Sequence, residues 1–106
     1  MLYRYTNTPS LIQIDCTEDE AFCFKCRRVM PCDFHHIMNG SKYSRQLSEE
    51  IGAWVWLCPV CHRWLHGTGD GVRYNGRLKE LAQQVYEQDH SRREWMEMFH
   101  KNYLEE

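Results

Sequence analysis

Two CxxC pairs, Cys23-Phe24-Lys25-Cys26 and Cys58-Pro59-Val60-Cys61, restrict this chain more than any other feature. Two thiolates two residues apart make half of a tetrahedral zinc site, so the pairs together can close one four-sulfur structural zinc site and pin distant segments to each other. In a chain of 106 residues, one domain by length and with a core near the lower limit of self-sufficiency, such a staple matters for stability. Six cysteines in a short secreted protein would suggest disulfides. The opening Met1-Leu2-Tyr3-Arg4-Tyr5 lacks the charged and apolar regions of a signal peptide, and no apolar run approaches a membrane span. The chain therefore reads as cytoplasmic and the pairs as zinc ligands. Cys16 and Cys32 fall outside the pairs and read as small buried apolar residues, with Cys32-x-x-His35 open as a competing ligand pair.

The second pair runs directly into His62 and His66. Pro59 suits the first position of a helix, and on a helix residues four apart stack on one face with Cβ atoms roughly 6 Å apart, close enough for two imidazoles to share a cation. A third ligand is needed. Upstream, Asp33-Phe34-His35-His36-Ile37 offers paired histidines in a segment that reads as a strand. Strand neighbours point to opposite faces, so His35 and His36 can serve one site only where the strand bends, bulges or ends. The expectation is one closed structural zinc and one open, histidine-held cation.

The remaining chain reads as a single α+β domain. Residues 1–20 form a β-like extension, with runs at Leu2–Tyr5 and Leu11–Ile14 around a turn, followed by an acidic connector. After the first CxxC come a strand over Phe34–Ile37, a turn at Asn39-Gly40-Ser41, a short helix over Ser44–Ile51 stopped by Gly52, and a strand over Ala53–Leu57. Gly67-Thr68-Gly69-Asp70-Gly71 reads as a loop. Arg77–Gln88 reads as a helix burying Leu78, Leu81, Ala82 and Val85, and Ser91-Arg92-Arg93-Glu94 as a capping box opening a last helix with Trp95, Met98, Phe99 and Leu104 on its apolar face. Trp54, Trp56 and Trp64 read as packing, with base stacking as the alternative, and His90 and His100 as surface residues.

Charge separates along the chain. The net formal charge is −2, yet residues 21–81 hold nine lysines and arginines against five acids. Four thiolates and two divalent cations would cancel, leaving the site region positive and able to meet phosphate.

The order CxxC, His35-His36-Ile37, Leu57-Cys58-x-x-Cys61-His62 and His66 resembles the HNH endonuclease family. The tail, with Leu78-Lys79, Ala82-Gln83, Tyr86-Glu87 and Phe99-x-Lys101-Asn102-Tyr103-Leu104, is similar to small HNH-type proteins of bacteriophages and prophages. The resemblance spans about residues 22–104. It implies a ββα-metal fold, two strands and a helix around one divalent cation, within a domain over 21–106 that adds the Cys23, Cys26, Cys58 and Cys61 zinc knuckle and C-terminal helices. It makes His35, His62 and His66 ligands of a catalytic Mg²⁺, Mn²⁺, Ni²⁺ or Zn²⁺ and His36 the general base, in a host cell whose phage or prophage encodes the protein. Arg45, Arg63 and Arg73 are the residues positioned by sequence to clamp phosphate oxygens. The implied substrate is DNA, double-stranded or branched, with a phage or host protein as a further partner. Many family members orient the base with an asparagine; here Asn39 and Gln46 are the nearest amides, and the orienting partner is left unassigned. The alternative is an inactive zinc-knuckle module that binds DNA or a protein.

Overall fold

The computed structural model describes residues 8–14 and 21–104. The expected run at Leu2–Tyr5, the acidic connector and Cys16 lie outside them. Over the described residues the order is β1 (Asp33–His36), α1 (Lys42–Ile51), β2 (Trp54–Leu57), α2 (Pro59–Gly67), α3 (Gly69–Asp89) and α4 (Arg92–Phe99). The fold is α+β, as the sequence implies, and no described helix is long and apolar enough to cross a membrane.

β1 and β2 pair antiparallel, Asp33 opposite Leu57, Phe34 opposite Trp56, His35 opposite Val55 and His36 opposite Trp54. Opposed residues share a face, so the register sorts the two strands into unlike surfaces. One face carries Phe34, His36, Trp54 and Trp56, whose rings contact one another at centroid distances of 4.8 to 5.7 Å. The other carries Asp33, His35, Val55 and Leu57; Val55 and Leu57 join the main core with Leu65, Leu78 and Ala82 from the helices. Covered on both faces, β2 is buried along its whole length. Trp54 and Trp56 are therefore packing residues. Trp64 is half-buried against Tyr74, with the Lys25 ammonium 4.6 Å from its ring.

Leu11–Ile14 is not the strand the sequence suggests but a turn. Ser10 Oγ accepts the amides of Ile12 and Gln13 and donates to the carbonyl of Trp54, which curls the segment instead of extending it. The buried Gln13 amide then does what a third strand would do, accepting from Trp56 N at 2.7 Å and donating to Phe22 O at 2.7 Å. The free edge of β2 is thereby covered without a ladder.

The helices end where the sequence supplies caps. Ser41 opens α1 by accepting from Ser44 N, and Gly52, at φ 89°, closes it. Ser91 and Glu94 form the expected reciprocal capping box of α4. Leu104 lies beyond that helix, because His100 turns left-handed at φ 60° and Trp95 Nε1 donates to Lys101 O, folding the tail back.

The segment expected as a glycine loop is mostly helix, since α3 begins at Gly69, eight residues before Arg77. One residue explains it. Thr68 Oγ1 donates to Trp64 O at 2.9 Å, ending α2, and accepts from Gly71 N at 2.8 Å, starting α3. Gly71 then sits where α3 crosses α2, and any Cβ there would overlap Trp64 O and Leu65. The buried stripe of α3 consequently begins earlier than expected, at Gly71, Asn75, Leu78, Ala82 and Tyr86, while Leu81 is exposed and Val85 half-buried.

Two glycines in one helix should behave oppositely. Gly71→Ala should lower stability by about 1–3 kcal/mol despite alanine's better helix propensity. Gly76→Ala, where an added Cβ meets nothing within 4 Å, should raise it by up to about 1 kcal/mol. Denaturant unfolding of both variants checks the pair, and equal effects would contradict the close crossing of α2 and α3.

Candidate metal centres

The first CxxC forms a tight hairpin. Cys23 N donates to Arg28 O, Arg27 N donates to Cys23 O, and Arg27 takes up φ 68° to close the turn. Cys26 N points at Cys23 Sγ from 3.4 Å. The second pair uses a helix start for the same end: Cys58 is the N-cap of α2, its sulfur accepting from Cys61 N at 3.5 Å, with Pro59 at the first turn. A thiolate at a helix N-terminus gains both the amide and the dipole. Phe24 N donates to Trp56 O, docking the hairpin beside the exit of β2.

These contacts bring Cys23, Cys26, Cys58 and Cys61 together, with sulfurs all within 4.8 Å of one another. Cys26 and Cys58 approach to 3.9 Å. Burial pushes the Cys23 thiol up, but amides of Cys26, Cys58 and Lys25 and the Cys26 thiol outweigh it and bring the group down to about 6. Burial, hydrogen bonds from Cys58 and Cys23, and the charge of Cys23 push Cys61 up to about 12. Four converging thiols therefore cannot all ionise unless a cation neutralises them, and four sulfurs at this separation can hold one such as zinc. Cys32 stands apart; its thiol donates to Met30 O at 3.2 Å, and it joins no ligand group among the described residues. The Cys32-x-x-His35 alternative is thus not assembled.

One residue past Cys61 the chain enters a second cluster. Nitrogen atoms of His35, His62 and His66 also lie within 4.8 Å of one another. His35 arrives on the core face of β1, and His62 and His66 arrive from successive turns of α2, the three rings having centroids 4.8 to 5.3 Å apart. The hydrogen bonds fix which nitrogens face inward. Asn75 Nδ2 donates to Ile37 O, so Asn75 Oδ1 is what meets His35 Nε2 at 2.8 Å. His35 Nε2 must then donate, leaving the lone pair on Nδ1. Asp33 Oδ2 meets His62 Nδ1 at 3.0 Å, and since a carboxylate only accepts, the His62 lone pair falls on Nε2. That atom faces His66 Nε2 at 3.2 Å. Three imidazole nitrogens converge, two of them oriented from behind by an oxygen, as in sites that ligate a transition metal.

His35 is almost wholly buried, and that burial, aided by the neighbouring His62, His66 and His36 and opposed by Asn75, holds it down at about 4. His66 is lowered too, by burial and then by His62. Both rings are accordingly neutral at physiological pH, the form that binds metal.

His36 is not a member of this cluster. It points to the aromatic face, where Glu49 Oε2 of α1 lies 2.7 Å from its Nε2. Because it is the last residue of β1, it still lines the cavity of about 370 Å³ that also exposes His35, His62, His66, Asn39 and Arg45. The strand's end thus lets neighbours on opposite faces meet one space. Of the arginines proposed to clamp phosphate, Arg45 lines this cavity. Arg73 is paired with Asp70, and Arg63 is exposed on α2; neither lines it. Gln46 is exposed and Asn39 lines the cavity, while the partner of His36 is the carboxylate of Glu49. His90 is less isolated than the sequence suggests, stacking on Tyr86 at 4.3 Å and reaching Glu94 at 3.7 Å.

Three supporting residues escape the sequence reading. Asp33 had a signal, since it lies two before His35 and so shares its strand face. Asn75 had a weaker one, a polar residue at stripe spacing from Leu78 and Ala82. Glu49 had none, because only the packing of α1 brings it to His36.

No protein-family model matches this chain, and comparison with curated proteins and with solved structures likewise finds no match.

Removing the thiolate-held metal should unfold much of the domain. A strong chelator, or Cys58→Ser, should lower the melting temperature by well over 10 °C, equivalent to more than ~2 kcal/mol in a domain this small. His66→Ala should leave melting within a few degrees while reducing the bound-metal stoichiometry by one. Metal analysis beside thermal melts checks both, and a chelated protein that melts like the untreated one would rule out a structural metal.

Proposed function

We propose that this protein is a metal-dependent endonuclease hydrolysing DNA phosphodiester bonds, with its fold belonging to the ββα-metal class. The observation that carries the reading is the placement of a separately held histidine, His36, on the wall of a cavity into which three converging imidazoles also open. A purely structural site would close its fourth position with a protein ligand; here the cavity leaves room for a phosphate.

His35, His62 and His66 would hold the divalent cation, which when bound supplies positive charge against the phosphoryl oxygens. The other parts of the reaction fall to the chain itself. Glu49 accepts from His36 Nε2, so Nδ1 is the basic nitrogen that takes a proton from the attacking water. The resulting imidazolium is stabilised by the Glu49 carboxylate behind it, the arrangement that lets a neutral base become charged without reorienting. Asp33 and Asn75 keep the metal-facing tautomers of His62 and His35. Arg45, which lines the cavity, would grip two phosphate oxygens bidentately and orient the ester for in-line attack.

Nicking of supercoiled plasmid with Mg²⁺, Mn²⁺ or Ni²⁺ tests the reading. His36→Ala should slow cleavage by about 10²–10⁴-fold, with melting and metal content unchanged. Glu49→Gln should slow it less, since the ring keeps a hydrogen-bond acceptor but loses the carboxylate charge. Cleavage that survives His36→Ala would remove that residue as base. No cleavage in any metal would favour the inactive binding module.

A further inference from the structure

Beside His66 a second cavity of about 360 Å³ opens between α3 and the tail, sharing Asn39 and His66 with the histidine cavity. Lys79, Lys101 and Tyr103 line it. The two ammonium groups sit 5.4 and 5.2 Å from the centroid of the same Tyr103 ring. Among the described residues neither lysine makes an ion pair; Glu80 also borders the cavity, one carboxylate beside two ammoniums. Like charges held near one ring oppose folding, and the two cation–π contacts counter this. An anion between the ammoniums would reverse the sign.

The tail that supplies two of these groups is fixed by a dedicated network. Gln83, fully buried on α3, accepts from Tyr103 N at 2.8 Å and donates to Asn102 Oδ1 at 2.9 Å and Glu87 Oε2 at 2.7 Å. Asn102 Oδ1 also accepts from Leu104 N, and Trp95 Nε1 holds Lys101 O. Both polar ends of a buried glutamine thus hold the chain that follows the last helix, at Asn102 and Tyr103. Lys79 stands one helical turn after Asn75, the residue that orients His35, so the ammonium pair is tied through α3 to the histidine centre.

We propose that this cavity is a phosphate subsite for nucleic acid, in which Lys79 and Lys101 hold the backbone phosphate neighbouring the one presented to His35, His62 and His66. The inference rests on the reading that the chain acts on DNA. It adds a place where the strand is gripped off the reacting phosphate, so that its register against His36 is set by two contacts along the backbone instead of one. Phosphate contacts of this kind position a duplex without reading its sequence.

Fluorescence anisotropy with a labelled duplex oligonucleotide tests it, using zinc-loaded protein without added catalytic metal across a range of salt. Lys79→Gln with Lys101→Gln should weaken binding by about tenfold and reduce the log–log salt slope by about one, with zinc content as in the parent protein and a melting temperature no lower. Oligonucleotide affinity unchanged by the double substitution would overturn the subsite. So would lysine-dependent binding of inorganic phosphate without any effect on oligonucleotide binding, which would mark a free-anion site. If the double variant fails to fold, Lys101→Gln alone, on the exposed tail, should still weaken binding about threefold, and Lys79→Arg with Lys101→Arg should retain it. Plasmid cleavage separates this inference from the one beneath it. Lysine-dependent binding with no cleavage in any metal would sink the nuclease reading and keep the subsite, whereas cleavage and binding indifferent to both lysines would do the reverse.

Discussion

Four sulfurs crowded within 4.8 Å of one another are the constraint from which the rest of this molecule follows. They join the hairpin before β1 to the junction of β2 and α2, adding to the packing of Phe22 on Trp54 and Trp56 and of Phe24 in the main core. Burial opposes ionisation of both Cys23 and Cys61, hydrogen bonds overcome it only at Cys23, and a bound cation would let all four sulfurs ionise together. The same sulfur that belongs to this cluster at Cys58 also caps α2. The direction of that helix is therefore set by the cluster, and with it the aim of His62 and His66.

The second centre uses the scaffold economically. β1 contributes Asp33 and His35 from one face and His36 from its end; α2 contributes two rings from successive turns; α1 and α3 contribute one oxygen each, from Glu49 and Asn75. The rings of His35, His36 and His62 each have their tautomer assigned by an acceptor oxygen. Such second partners convert loosely rotating imidazoles into groups with a defined lone pair, which both ligation and proton transfer require. The burial that keeps His35 neutral follows from the same packing.

α3 connects the centres to the tail. Its early start, made possible by Thr68 and by the absent side chain of Gly71, carries Asn75 under His35, Lys79 to the neighbouring cavity and Gln83 to the returning chain. A helix beginning at Arg77 would still have carried Lys79 and Gln83 but would have left out Asn75. A single capping hydroxyl thus decides whether α3 reaches back to the residue that orients His35.

The sequence by itself determined the local pieces: the two CxxC pairs, the imidazole pair at His62 and His66, the aromatic strand at Trp54–Leu57, and the caps at Gly52, Ser91 and Glu94. Each is legible because it depends on spacing, side-chain chemistry or backbone preference over a few residues. Tertiary structure alone decided the rest. It turned Leu11–Ile14 into an edge cover through Gln13, brought Asn75 under His35, and gave His36 a carboxylate partner. Those outcomes depend on which distant backbone approaches which side chain, and the free energy of such an approach belongs to the packed whole, not to any short stretch of chain.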